Sequence, residues 1–155
     1  MRINTAQALK KSVSADQAIG RSKGGLSTKI HATCDALGNP TGFHITAGQD
    51  SDLEGADALM EKLVLADAVL ADKAYDADER VREKLNERGC IAVIPPKKNR
   101  INPQFYDKEI YKARHLIENF FAKLKQYRAI ATRYDKTAQN FLGGIYLAAT
   151  VIWLT

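Results

Sequence analysis

Acids are missing where the chain begins: residues 1–15 contain no Asp or Glu, and the first acid is Asp16. Cysteine is scarce. Cys34 and Cys90 are the two in 155 residues, and each sits inside an apolar run. Neither has a second Cys or a nearby His at zinc spacing. They read as core thiols in a reducing compartment, which sets aside a disulfide framework and a zinc site. Long hydrophobic runs are lacking too. The longest, 141–154, includes Gly143 and Gly144. It is too short to span a bilayer, so it reads as a buried helix, and no membrane partner is expected. The first residues have no apolar core of a signal peptide, which points to the cytoplasm. There is no internal repeat.

What is present is an ordinary globular composition, 45% apolar and 26% charged, at a length that buries one core. The charge is unevenly placed. Residues 97–136 hold 11 Lys and Arg against 4 acids, a net +7 within a chain of net +5. The remainder is therefore mildly acidic. A concentrated basic segment fits a polyanion such as nucleic acid, and it equally fits a solvated Lys-rich surface.

Residues 1–26 are polar and rich in Ser, Gly, Lys and Gln, and read as a flexible lead-in. The domain proper is expected over 27–155. Strands at 28–34 and 41–46 flank a turn cluster at 35–40, a β-hairpin. Ser51 and Glu54 have capping-box spacing and open a helix to about 65. A short buried strand, 67–72, ends on Asp72. Asp76 is the expected cap of the next helix, and Gly89 follows its end. Residues 90–95 form another buried strand, a basic loop runs to 107, and two helices follow. The order implies an α/β fold, one mixed sheet flanked by helices.

One stretch stands out: Tyr111-Lys-Ala-Arg114-His-Leu-Ile-Glu118-Asn-Phe-Phe-Ala-Lys-Leu-Lys125. On one continuous helix Tyr111, Arg114, Glu118 and Lys125 fall in a stripe roughly 60° wide. Leu116, Ile117, Phe120, Phe121, Leu124 and Tyr127 gather elsewhere. Glu118 is either an i,i+4 partner of Arg114 or a metal-binding acid. Asp72, at a strand end where open α/β sheets bind ligands, lacks the capping role that Asp76 is expected to fill. A strand-end Asp and a helix-borne Glu supply the hard oxygens that Mg²⁺ prefers. Two such ions clamp the attacking and leaving oxygens of a phosphoryl transfer. Arg114 and Lys125 either contact DNA phosphate or line a solvated face. Tyr111 either stacks on or bonds to DNA or flanks the helix. Lys23, in a Gly-rich loop, is a further DNA-contact candidate. Asp35 reads as a turn residue, Asp50 and Asp52 as a helix start, and His31 and His44 as core or hydrogen-bonded strand residues.

These motifs carry a family resemblance. Ala71-Asp72-Lys73-Ala74-Tyr75-Asp76 resembles the second-acid motif of DDE insertion-sequence transposases. Tyr111, Arg114, Glu118 and Lys125 match, without a gap, the Tyr-(2)-Arg-(3)-Glu-(6)-Lys signature around their third acid. Gly20-Arg-Ser-Lys-Gly-Gly25, Thr28-Lys-Ile-His-Ala32 and Ala47-Gly-Gln-Asp-Ser-Asp52 resemble the stretch between the first and second acids. The likeness covers about 17–154 and is greatest to insertion-sequence family five of the family-four-like superfamily.

The resemblance implies an RNase H-like fold and an Asp-Asp-Glu set holding two Mg²⁺ or Mn²⁺ ions. Asp72 and Glu118 would be catalytic metal ligands, and Tyr111, Arg114, Lys125 and Lys23 would contact DNA. It implies Mg²⁺-dependent cleavage of double-stranded DNA at element ends and strand transfer to a target, at the bacterial nucleoid. The family's first Asp lies on the first, central strand, upstream of Gly20. Residues 1–15 offer no acid for that place, and Asp16 lies in a polar stretch. The expectation is an N-terminally incomplete catalytic domain lacking most of that strand, with residues 2–8 filling part of the gap. It would be inactive alone, and it would be either the second-frame product of a split transposase or the product of a decayed gene. Its partners would be a second copy or the upstream-frame product. Two alternatives stay open: a catalytically inactive DNA-binding fragment that modulates the full transposase, and an RNase H-like nuclease that cuts without joining.

Overall fold

The computed structural model describes residues 2–4 (backbone), 17–63 and 66–155. The expected placement of Asp16 and the 5–16 stretch lie outside the described residues, whereas the helix expected to reach about 65 ends at Met60, with 61–62 in a turn. The chain forms two compact units, Met1–Ser51 with Leu116–Thr155, and Asp52–His115.

The first unit holds an antiparallel sheet of β1 (Arg2–Asn4), β2 (Gly20–Ser22), β3 (Gly25–Cys34) and β4 (Pro40–Ala47). The β3–β4 hairpin forms as its alternation dictates, with His31 opposite His44 and Ile30 opposite Ile45. Its turn is built on Asp35, whose Oδ1 accepts from Leu37 N–H and Asn39 N–H, both at 2.9 Å. Those bonds, Asn39 first, hold the Asp35 carboxyl below its ordinary range. Thr28 and Lys29 pair with both β1 and β4, so β1 lies on the β3 edge opposite β4. That edge is paired over three residues, Arg2–Asn4, within the 2–8 stretch expected to fill part of the gap. β2 arises within the stretch read as a lead-in.

Three helices complete this unit: α4 (His115–Leu124), α5 (Arg128–Thr132) and α6 (Ala138–Leu154). The core joins Ile30 and Phe43 to Phe120, Leu124, Ile130, Phe141 and Ile145. The Phe43 ring lies 5.7 Å from Phe120 and edge-on to Tyr146 at 5.1 Å. The expected buried helix is α6, but only one face of it is buried. Phe141, Ile145, Ala148 and Ala149 face the core, whereas Leu147 and Leu154 are 69% and 82% exposed. A run apolar on all sides fixes a helix's existence, not how much of it finds a partner. Thr137 Oγ1 caps α6, accepting from Asn140 N–H at 3.2 Å. Thr137→Ala is expected to cost about 1 kcal/mol, or 2–4 °C in a thermal melt.

Arg133 ties this unit together from a left-handed backbone position. Its guanidinium, 1% exposed, donates to Gln17 O at 2.7 Å, to Ala18 O at 3.1 Å and to Thr28 Oγ1, and lies 4.7 Å over Phe141. Burial pulls it down to about 10, so it stays charged at neutral pH. Gln17 Oε1 in turn accepts from Ala138 N–H at 2.7 Å, at the start of α6.

The second unit contains α1 (Asp52–Met60), the parallel pair β5 (Ala68–Leu70) and β6 (Ile91–Val93), α2 (Glu83–Glu87) and α3 (Lys108–Lys112). Parallel and antiparallel pairings are thus both present, in two hydrogen-bonded sheets among the described residues rather than one mixed sheet. Ala56, Met60, Val81, Leu85, Cys90 and Ile94 form its core. The helical segment over 78–87 opens with a π turn, Asp78–Arg82, in which Arg82 N–H bonds back to Ala77 O at 3.0 Å. It ends as expected at Gly89. Cys90 N–H donates to Leu85 O and Gly89 N–H to Asn86 O, both at 2.9 Å, with Gly89 at φ 71°. This paired closure needs a left-handed residue, which glycine supplies without steric cost. Both cysteines are free thiols. Cys90 is buried and Cys34 half-buried, and burial first, then Asp35 or Asp67, pushes each thiol up.

Candidate functional site

Asp72 follows β5 by one residue, and Ala71 N–H still bonds to Val93 O at 3.3 Å across the parallel pair. The carboxylate thus stands just past the carboxyl end of a parallel strand, as the sequence requires. Its local role corrects the expectation. Asp72 is the N-cap of the 3₁₀ turn Lys73–Tyr75, with Oδ1 accepting from Ala74 N–H at 2.7 Å. That cap leaves Oδ2 outside the bond. Tyr75 is half-buried beside it. Burial first, then the charges of Asp52 and Asp72, push its phenol well above the ordinary tyrosine range. Gly48 and Asp50 of the Ala47-Gly-Gln-Asp-Ser-Asp52 motif serve the turn before α1. Gly48 N–H bonds to Ser27 O at 3.0 Å, in a space where a Cβ would lie 2.0 Å from Ser27 Oγ. Asp50 Oδ2 accepts from Ala47 N–H at 2.8 Å, and Asp52 opens α1 as expected. His31 is buried with Nε2 2.9 Å from Thr46 Oγ1, the hydrogen-bonded strand role expected of it.

Asp76 does not cap a helix. The residue before the π turn is Ala77, which makes no side-chain cap bond. Asp76 is instead buried in an ion cluster. Oδ1 accepts from Arg82 Nε at 2.9 Å and from Arg100 at 2.7 Å, and Oδ2 accepts from Lys97 N–H at 2.8 Å. Arg82 also donates to Ile94 O at 2.8 Å, and Arg100 reaches Asp78. Burial pushes the Asp76 carboxyl up, but the Lys97 amide and the two guanidinium groups outweigh it and hold it below the usual range. Nothing in the sequence pairs Asp76 with a residue 24 positions away, so a pattern reading misses this cluster.

The signature helix is broken. Tyr111 lies in α3, Arg114 in a two-residue turn, Glu118 in the first turn of α4, and Lys125 just after α4. Ala113 N–H and Arg114 N–H bond three residues back, to Ile110 O and Tyr111 O, both at 3.0 Å. The His115 ring then takes the Lys112 carbonyl at 2.9 Å, an acceptor that a continuous helix would give to residue 116. A side chain competing for the backbone accompanies the end of α3, and the continuous helix that the 60° stripe assumed is interrupted at 113–114. Arg114 lies 5.6 Å over the Tyr111 ring, whose phenol burial pushes up. Glu118 and Lys125 are exposed, and Lys23 is exposed in the β2–β3 turn.

The basic segment presents less charge than its composition implies. Arg100 and Arg133 are spent inside the fold, and Lys112 pairs with Glu109 at 2.6 Å. Lys97, Lys98, Lys108, Lys123, Lys125, Arg128 and Lys136 remain exposed. Among the described residues, no group of three or more His, Cys, Asp or Glu is placed to hold a metal ion, and no helix is long and apolar enough to cross a membrane.

Residues 3–104 and residues 69–155 match two families, each described as a transposase DDE domain. A Brucella ovis protein described as a transposase for insertion sequence element IS6501 is 40% identical over 129 residues, covering 83% of this chain and 99% of its own length. No solved structure matches. A strand-end acid in an Ala-Asp-Lys-Ala-Tyr setting, the gapless Tyr-Arg-Glu-Lys spacing and these matches agree: the chain belongs to the DDE-domain transposases of insertion sequences.

Proposed function

We propose that this chain is the catalytic region of a transposase of insertion-sequence family five, within the family-four-like superfamily. On this reading residues 27–155 adopt an RNase H-like arrangement, and Asp72 and Glu118 are the second and third acids of the set. The observation that carries it is the position of Asp72, at the carboxyl end of a parallel strand with Oδ2 outside its cap bond. The donor chemistry fits a hard divalent cation, Mg²⁺ or Mn²⁺, because both candidates are carboxylates. When bound, such ions lower the pKa of a water or a 3′-hydroxyl and neutralise charge on the phosphate.

Asp72 and Glu118 would hold the metal. Lys125, Arg114 and Lys23 would lie on phosphate, and Tyr111 would support Arg114 from beneath. The overall reaction is two displacements at phosphorus. Water adds to an element-end phosphodiester and the 3′-oxygen leaves as a hydroxyl. That hydroxyl then attacks a target phosphodiester and releases the target's 3′-hydroxyl. The protein would act on double-stranded DNA at the nucleoid in the cytoplasm. Self-association is supported by α6, which carries no charged residue and exposes Leu147 and Leu154.

A specific observation favours a second reading, DNA binding without cleavage. Lys97, Lys98, Lys108, Lys123, Lys125, Arg128 and Lys136 are exposed, a surface that binds DNA phosphate whether or not cleavage follows. Incubating the chain with Mg²⁺ and a supercoiled plasmid bearing the element ends separates the readings. Cleavage and strand-transfer products are expected for the transposase. Nicks without joined products identify a nuclease. Binding with no cleavage identifies a DNA-binding modulator.

A further inference from the structure

The loop from β6 to α3, residues 94–107, is pinned at both ends. Near its start Lys97 N–H and the Arg100 guanidinium bond to buried Asp76 at 2.8 and 2.7 Å. Near its end Tyr106 meets Tyr111 edge-on, ring centroids 5.5 Å apart. Between the pins, Ile101 and Phe105 are 93% and 92% exposed. Lys97 and Lys98 are exposed on the same loop. Two large apolar side chains held in water on an anchored loop contribute nothing to the core, so their use lies outside the chain.

We propose that this loop is a DNA wedge. Ile101 and Phe105 enter an unstacked base step while Lys97 and Lys98 rest on the flanking phosphates. The proposal rests on the transposase reading and adds a contact surface to it. Charge selects the occupant. Lys97 and Lys98 suit a polyanion, whereas a second copy would bring its own net +7 segment against this one. Lysines position a duplex without reading sequence. Apolar side chains are what proteins insert between base steps, and an aromatic ring stacks on any base. The Asp76 cluster would then position the loop from below.

The test uses the full chain and two fluorescent short duplexes, one fully paired and one with a central mismatch, titrated by anisotropy at several salt concentrations. Wild type binds the mismatched duplex more tightly, because its bases unstack at lower cost. The I101A/F105A double variant, whose side chains are exposed, melts as wild type does. It loses about fivefold or more on the mismatched duplex, and the preference disappears. K97A/K98A weakens both duplexes alike and lowers the salt slope by about 2. If I101A/F105A binds both duplexes as wild type does, the wedge is overturned and the transposase reading stands. If wild type binds neither duplex, the transposase reading fails and the wedge fails with it.

Discussion

Asp76→Ala is expected to lower the melting temperature by about 10 °C, a loss of roughly 3–5 kcal/mol. The carboxylate side chain is 1% exposed and faces Arg82 and Arg100, themselves 11% and 12% exposed. Removing it takes from two nearly buried guanidinium groups and the Lys97 amide the acceptor they share, leaving Arg82 only Ile94 O and Arg100 only Asp78 and Asn102 O among the bonds described. The loss exceeds that of a surface pair, which is commonly within about 1 kcal/mol. Asp57 with Arg80 and Lys84 provides the comparison, since all three side chains are at least a third exposed. The pH dependence follows from the direction of the Asp76 shift. Its folded value lies below the usual carboxylate range. The stability it contributes is therefore present above the unfolded value, near 4. It is lost as pH falls through the folded value. Melts of wild type and Asp76→Asn should converge at low pH and separate above about pH 4. A melting temperature for Asp76→Ala within 2 °C of wild type would show that the cluster is not stabilising.

Asp72→Asn and Glu118→Gln are each expected to reduce Mg²⁺-dependent cleavage by the transposase by more than ~100-fold, since even outer-shell partners of a metal cost 10–100-fold. The asparagine matters because Asp72 has two roles. Its Oδ1 accepts from Ala74 N–H, and an Asn oxygen still can. Asp72→Asn should therefore melt within about 1 °C of wild type, whereas Asp72→Ala loses the cap and about 1 kcal/mol. Loss of cleavage in both variants, with loss of stability only in the alanine one, isolates the negative charge as the functional property. Glu118→Gln, on the exposed face of α4, should change stability by less than about 0.5 kcal/mol. If both amide variants cleave like wild type, the assignment of these two acids is wrong.

Local signals proved dependable where the physics is local. The Asp35 turn, the paired closure at Gly89 and the strand ending before Asp72 all follow from a few neighbouring residues. Where two acids competed for one role, the pattern chose wrongly. Asp76 precedes a long helical stretch and matched the cap template. Asp72 caps instead, because a 3₁₀ turn intervenes and because Arg82 and Arg100 draw Asp76 into the interior. The continuous signature helix failed for a similar reason. Periodicity carries no information about the His115 ring bonding to the Lys112 carbonyl, the contact that marks the break between α3 and α4.

Charge shows the same division. Residues 97–136 are basic by composition, but composition does not say that Arg133 lies buried over the Phe141 ring or that Arg100 is neutralised by Asp76 and Asp78.

By itself the sequence determined the hairpin, the strand-end Asp72 and the spacing that marks the transposase family. These rest on neighbours along the chain, where a side chain's options are few and short-ranged. Only the tertiary structure decided which acids are spent on the fold, which cations remain for a polyanion, and that Ile101 and Phe105 stand in water on an anchored loop. Burial and ion pairing join residues as far apart as Gln17 and Arg133, and no spacing rule encodes which distant partner closes such a contact.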